Sequence, residues 1–388
     1  MLPAKNAEMH EKINKPIFIV GSPRSGTSIL AWCLGQHPNL FPVPESSWMG
    51  DFAVNLAIAH QVGSARGIFS VLSAMGISRD EFFGHIGRSI NSLILKHRGD
   101  LDRTRLFTAV QRFLKEEGFY LGEVTGELDA ATTAALRQYG IADEANDLIY
   151  SELVASLKTP AAQSEFKTRW VDQTPQYSFH ICGLRKLFPD ALFIHIVRDV
   201  TSVVRSMLNF HRIAGTHLVT NEQEAYQYWL RAVRACLKAE EAYGPHVVYR
   251  LRYAALVENT ESALRSLLDF VGEPYSAECL EPLSERINSS NVPVDFTSED
   301  SATHPAILEE AMRLSRDLQR GSQPVEPSAA AMAEMEAAFD ERVQYMAVLD
   351  SQYCRAVQSM QKLERTVASE TDILSNVPKS ATKPIHST

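Results

Sequence analysis

The residues Gly21-Ser22-Pro23-Arg24-Ser25-Gly26-Thr27-Ser28 crowd oxyanion-holding groups into one turn, directly behind the apolar run Ile17-Phe18-Ile19-Val20. A strand feeding a glycine-bounded turn that opens a helix presents backbone N–H groups and the positive end of a helix dipole to an anion. In the nucleotide loop GxxxxGK[ST] a lysine follows the second glycine. Here Thr27 stands in that place, and the only cation of the turn, Arg24, lies two residues before Gly26. Arg24 offers a planar fork for two oxygens of one phosphate, which a lysine cannot do. Gly26 permits close backbone approach, and Ser25, Thr27 and Ser28 add donors. A second group lies further on, where Arg198 ends the run Leu192 to Val197 and Ser206 follows eight residues later. Ser206 is then about two helical turns beyond a strand end, where open α/β sheets place ligands, so both side chains reach one phosphate. The bland alternatives are a plain strand-to-helix turn at 21–28 and a helix-capping pair at Arg198-Asp199.

These residues need a sheet to hold them. Pro16–Gly21, Thr168–Asp172, Leu192–Val197 and His246–Leu251 are short runs of large apolar and β-branched residues, the pattern of buried parallel strands. Helical patterns alternate with them over Thr27–Gln36, Tyr177–Phe188, Thr201–Phe210, Ala225–Tyr243 and Glu261–Val271. The expectation is an α/β fold, a three-layer α/β/α arrangement around a central parallel sheet. The core runs over 16–276 after an N-terminal tail, 1–15, and a mainly helical insertion interrupts it over 51–160. Segment 277–326 reads as a polar loop or lid, centred on Ser284–Pro305, and a linker. Apolar residues then step by three and four from Met332 to Val367, an a/d heptad series broken only by Arg342. That series predicts one long C-terminal helix over 327–372, which packs on the core or pairs with a second subunit as a homodimer. Residues 373–388 read as a disordered tail.

The stretch PIFIVGSPRSGTSIL resembles the sulfuryl-donor loop of sulfotransferases that use 3′-phosphoadenosine 5′-phosphosulfate. FIHIVRDVTSVVRSML is similar to that family's 3′-phosphate segment, and VVYRLRYAALVENTESALRSLLDFVGEPYS to its strand, turn and helix ending in a phenylalanine-glycine motif. The resemblance implies a sulfotransferase fold in which Arg24, Ser25, Gly26, Thr27 and Ser28 hold the 5′-phosphosulfate and Arg198 and Ser206 the 3′-phosphate. Tyr253 would face the adenine, where an aromatic ring just past a strand end can stack on a base; a core tyrosine is the alternative. The reaction it implies is in-line sulfuryl transfer to a hydroxyl, ahead of an amine, with charge gathering on the leaving phosphate and no metal required. The acceptor proton needs a base. Glu45, 21 residues after Arg24 in HPNLFPVPESSW, matches the family's glutamate, and Asp172 is a second base or an orienting group. Many relatives carry a lysine where Gln173 stands, so one charge is missing beside the transferring group. Val110 to Ile141 also resembles a small peptidoglycan-binding module, against a reading as a plain helical cap over the acceptor pocket.

Composition narrows the partners. A net charge of −9 argues against a general nucleic-acid or anionic-membrane partner, so any basic residues that matter must be locally concentrated. No apolar run approaches the ~20 residues of a membrane span, and the polar N-terminus lacks a secretory pattern. Five scattered cysteines show neither disulfide nor zinc spacing, so a cytoplasmic address is expected. The acceptor stays open among small molecules, glycans, lipids and peptides. Two rival readings also stay open: a P-loop kinase or nucleotide hydrolase using Asp199 for magnesium, and an inactive sulfotransferase-like binding or scaffold protein.

Overall fold

The computed structural model describes residues 15–98, 103–127, 129–142, 167–210, 217–284, 302–320 and 326–375. The N-terminal tail, the end of the insertion, most of the expected lid and the C-terminal tail lie outside the described residues.

Five parallel strands form one sheet in the order β2-β3-β1-β4-β5: β1 (Ile17–Val20), β2 (Leu40–Pro42), β3 (Arg169–Asp172), β4 (Leu192–Val197) and β5 (Val248–Arg252). Ile17 pairs with Val171 of β3 on one side and Leu192 of β4 on the other. The α/β class with a parallel sheet is therefore as expected. Four strands match the sequence reading; the edge strand β2 is an addition, three residues long and ending in a proline that an edge tolerates.

Side-chain alternation along β1 divides the core. Ile17 and Ile19 join Leu30 and Leu34 of α1 (Thr27–Gly35) on one face. On the other face Phe18 meets Phe193, with ring centroids 5.3 Å apart, and Trp170, at 5.4 Å.

Between β2 and β3 the described residues hold helices only. These include α2 (Met49–Ser64), α3 (Arg79–Lys96), α4 (Arg103–Glu116) and α5 (Ala130–Ala142). The last two and their connection share a small core of Leu114, Tyr120, Ala135 and Leu136, beside which Gln111 is buried and accepts from the Gly126 N–H at 2.9 Å.

After β3 come α6 (Ile181–Leu187), α7 (Val200–Leu208), α8 (Glu222–Tyr243), α9 (Tyr253–Glu258), α10 (Thr260–Val271), α11 (Pro305–Arg320) and α12 (Ala329–Ser375). Helix α11 falls inside the segment read from sequence as lid and linker. Its Ala311 and Leu318 are buried with Trp229 and Val233 of α8, so apolar packing orders a stretch whose flanks are polar. The chain divides into a unit ending at Phe339 and one starting at Asp340; within the second, the described residues are a single helix carrying the rest of the heptad series.

Under the sheet, His195 of β4 and Glu240 of α8 are fully buried 2.6 Å apart, and Arg250 of β5 donates to the same carboxylate at 3.0 Å. Burial alone pushes the imidazole down, but the facing Cys236 thiol and Glu240 carboxylate outweigh it and raise His195 to about 9. Burial raises Glu240, yet hydrogen bonds and charge from His195 and Arg250 hold it below its ordinary value.

Candidate active site

The turn after β1 is held by glycine. Gly21 has φ 150°, and a Cβ there would sit 2.5 Å from the Ile196 carbonyl of β4. Gly26, φ 103°, is the N-cap of α1; its missing Cβ leaves room for the Tyr253 ring, whose edge would be 2.6 Å away. No side chain caps α1 and no acidic residue stands in its first turn, which leaves the positive end of its dipole to an anion. Arg24 adopts a left-handed φ of 69°, unusual for a residue with a side chain and of the kind found at ligand-binding sites.

The second set of residues converges on this turn. Arg24 donates through Nε to Ser206 Oγ at 3.0 Å, and its guanidinium lies over the Phe210 ring. Arg198, at the end of β4, donates to the Arg24 carbonyl at 3.2 Å and stacks 4.6 Å from the Tyr253 ring centre. Ser25, Thr27 and Ser206 are buried, while Arg24, Ser28, Arg198 and Tyr253 are half-buried. Two guanidiniums, two ring faces and a helix N-terminus thus share one end of the sheet, where β1 separates strands running to either side. Cationic forks, a hydroxyl and an aromatic ring gathered at a helix N-terminus suit anionic oxygens. Asp199 instead caps α7, accepting from the Ser202 N–H at 3.0 Å.

Glu45 lies on an exposed stretch following β2, and that stretch is pinned residue by residue. Ser46 Oγ donates to Asp172 Oδ2 at 2.6 Å and is hydrogen-bonded to the Tyr177 hydroxyl. Thr174 Oγ1 accepts from the Ser46 N–H at 2.9 Å, and the Tyr177 hydroxyl accepts from the Met49 N–H at 3.0 Å. The other Asp172 oxygen accepts from the Thr174 N–H at 2.8 Å. Burial raises Asp172, with these hydrogen bonds opposing it, and burial pushes the Tyr177 hydroxyl up to about 12. Asp172 is fully buried with both oxygens engaged in holding backbone and Ser46.

Ser178, the next residue after Tyr177, accepts from the Gly21 N–H at 2.8 Å and donates to the Gly21 carbonyl at 2.9 Å. The 3-10 helix Pro175–Phe179 therefore grips the glycine-bounded turn with one residue and the Glu45 stretch with its neighbour. Gln173 precedes this helix, half-buried, and its Oε1 has no hydrogen-bond partner among the described residues. Sequence reasoning identified neither Ser178, Tyr177, Thr174 nor Ser46. Thr174 stands in the Asp172-Gln173-Thr174-Pro175 stretch, and the strand order brings that stretch and the residues after it against Ser46. His37 is buried with its Nε2 on the Pro274 carbonyl at 2.8 Å and its Nδ1 accepting from the Asn39 N–H. Among the described residues no cluster suits a metal ion.

A sequence profile described as "Sulfotransferase family" matches residues 16–70 and 102–277. An omega-hydroxy-beta-dihydromenaquinone-9 sulfotransferase of Mycobacterium bovis is 33% identical over 107 residues, which span 26% of this chain and 28% of that protein. A putative protein-tyrosine sulfotransferase of Caenorhabditis briggsae is 22% identical over 36% of this chain and 49% of its own. The match thus covers less than two thirds of either relative. A sulfotransferase crystal structure, STF9 from Mycobacterium avium, aligns over 84% of this chain and 82% of its own with 16% identity and a TM-score of 0.41.

Proposed function

The chain belongs to the sulfotransferase family, and from that premise we propose that it transfers a sulfuryl group from 3′-phosphoadenosine 5′-phosphosulfate to a hydroxyl acceptor. The observation that carries this reading is the convergence of Arg24, Arg198, Ser206 and Tyr253 on the turn at Gly26. The cradle fits the donor: the missing Cβ of Gly26 keeps the Tyr253 face beside the loop, and the two arginines offer separate phosphate positions. The donor supplies the activated sulfuryl group and a phosphate leaving group. The chain does the rest. Arg24 with the N–H groups of 25–28 neutralises charge at the leaving phosphate, each such donor being worth about 3 kcal/mol in a closed site. Arg198 and Ser206 fix the distal phosphate, and Tyr253 orients the base.

Glu45 takes the acceptor proton. Asp172 acts through Ser46, keeping the Glu45 stretch in register with the turn; it is a positioning residue, because both its oxygens are occupied in that task. Both named relatives, as a hydroxyl-bearing lipid sulfotransferase and a protein-tyrosine sulfotransferase, support an oxygen acceptor. Asp199 as a helix cap weighs against a magnesium-dependent kinase.

Calorimetric titration with adenosine 3′,5′-bisphosphate and with magnesium ATP, paired with transfer assays over hydroxyl acceptors, tests the reading. Bisphosphate binding that Arg198→Ala weakens is expected. Glu45→Gln should keep that binding and lower turnover by about 10²- to 10⁴-fold. Binding of magnesium ATP without binding of the bisphosphate would overturn the donor assignment, and unchanged turnover in Glu45→Gln removes Glu45 from the base role.

A further inference from the structure

Away from the site, the C-terminal end of α2 runs into a compact knob: a 3-10 turn, Gly67–Phe69, and a one-turn helix, Val71–Ala74. Its outer surface is apolar. Phe69 is 85% exposed and Ile68 79%, with Val62, Val71 and Met75 between 64% and 71%. These five side chains fall within 14 residues and present roughly 600 Å² of apolar surface, the size of the largest patch on a typical monomer and one that marks an interaction site.

The knob is ordered from within. Leu72 packs over Gly63 of α2, where a Cβ would meet it at 2.6 Å. The Ser70 N–H donates to the Gly67 carbonyl at 2.8 Å, the Ala74 N–H to the Ser70 carbonyl at 2.8 Å, and the Ile77 N–H to the Leu72 carbonyl at 2.9 Å. Ser70 Oγ accepts from the Arg66 N–H, and Ser73 Oγ donates to the Ser64 carbonyl. A turn that pairs its own backbone groups and turns its apolar side chains outward can enter an apolar medium without stranding peptide groups there.

Charge selects the medium. Acidic residues outnumber basic ones 47 to 38 in the whole chain, yet none occurs between Asp51 and Asp80; of the two arginines in that stretch, Arg79 packs its guanidinium over the Phe83 and Phe339 rings, which leaves Arg66 to face the surroundings. Arg66 is exposed on the knob itself. A few inserted apolar side chains at about 1.5–3 kcal/mol each, with a cation beside them, hold a protein on a bilayer. The geometry points to an anionic lipid surface as the occupant: Ile68, Phe69, Val71 and Met75 enter the headgroup boundary, and Arg66 lies among the lipid phosphates. The surface shares no residue with the turn at Gly26 or with the Glu45 stretch, so it does not rest on the donor assignment.

Co-sedimentation of the full chain with phosphatidylglycerol-containing and pure phosphatidylcholine vesicles tests the proposal, with Ile68→Asp/Phe69→Asp and Arg66→Glu as variants. The wild type is expected to pellet with the anionic vesicles. The double variant should lose roughly a hundredfold or more in partitioning, the loss of two buried apolar side chains, and Arg66→Glu a severalfold share that salt abolishes. Circular dichroism and bisphosphate binding check that the exposed substitutions leave the fold intact. The proposal is overturned by wild type that stays in the supernatant, by pelleting indifferent to lipid charge, or by pelleting that survives the double variant. Sedimentation velocity supplies the remaining outcome: a wild-type dimer that the double variant dissolves would assign the patch to a second copy instead.

Discussion

Gly26→Ala addresses the joint between the turn and the ring that lies on it. At φ 103° an alanine is strained by about 1–3 kcal/mol whatever surrounds it. Its Cβ would also approach two Tyr253 ring carbons at 2.6 and 2.7 Å, closer than real Cβ contacts come, so the ring must swing away. The swing carries it off the Arg198 guanidinium, 4.6 Å from its centre, a cation–π contact worth roughly 0.5–2 kcal/mol in a partly desolvated site. Together these give about 2–4 kcal/mol, or a loss of roughly 30- to 1000-fold in bisphosphate affinity if the turn relaxes rather than the whole domain. Calorimetry measures that loss, and a thermal melt reads the part borne by the fold. The double-mutant cycle with Tyr253→Ala separates the two causes: with the ring gone the clash disappears and only the φ strain remains, so Gly26→Ala should cost less in that background. Near wild-type affinity and melting temperature in Gly26→Ala, or an equal cost in both backgrounds, would refute the ring contact as the reason for glycine.

Three further outcomes follow from the geometry. Ser46→Ala leaves Asp172 Oδ2 buried without its donor, at about 1–3 kcal/mol, and should lower turnover while bisphosphate affinity measured by calorimetry holds; loss of binding alone would contradict the positioning role. Gln173→Lys puts a charge in place of an amide whose Oε1 has no partner among the described residues, and steady-state assays should show turnover rising severalfold, whereas a fall would mean that the glutamine itself serves the acceptor. Melting temperature should fall with alkali. His195, raised in the folded state from 6.5 to about 9, contributes its full stability below pH 6.5 and loses it as pH climbs through 9, on the order of 3 kcal/mol at the limit. Glu240, lowered in the folded state, stabilises above the ordinary carboxylate value and loses that contribution as pH falls through its folded value, so the optimum lies between, and a melting temperature flat from pH 6.5 to 9 would refute the pairing.

The sheet and the residues that gather around the glycine-bounded turn were legible because each depends on local pattern. Buried strands announce themselves as apolar runs, and Gly21, Arg24 and Gly26 share one turn. Arg198 and Ser206 share one helix spacing. The edge strand β2 was not legible: Leu40-Phe41-Pro42 is too short to show a period and its proline suppresses a strand reading. Helix α11 has apolar Ile307, Leu308, Ala311, Leu314 and Leu318 at helical spacing, yet the polar run before it and the linker after it masked the signal. The grip of Tyr177 and Ser178 on two separate loops lies beyond any single-sequence pattern. It arises because β3 and β1 are neighbours in the sheet though 148 residues separate Val20 from Arg169. Glu45 was singled out by its distance from Arg24, a spacing that says nothing of the hydrogen bonds that pin its neighbours Ser46 and Met49.

Helix α2 starts at the Met49 N–H, pinned on the Tyr177 hydroxyl, and ends 16 residues later at the exposed knob. It behaves as a crank with one clamped end, ~24 Å long and turning ~100° per residue. Adding or removing a single residue within it would swing the knob by more than a quarter turn around the axis while leaving Ser46 and Asp172 in place. Only length changes near three or four residues would restore its heading. The azimuth at which this molecule presents its apolar tip is therefore encoded in a residue count, separately from the groups that would carry out the reaction.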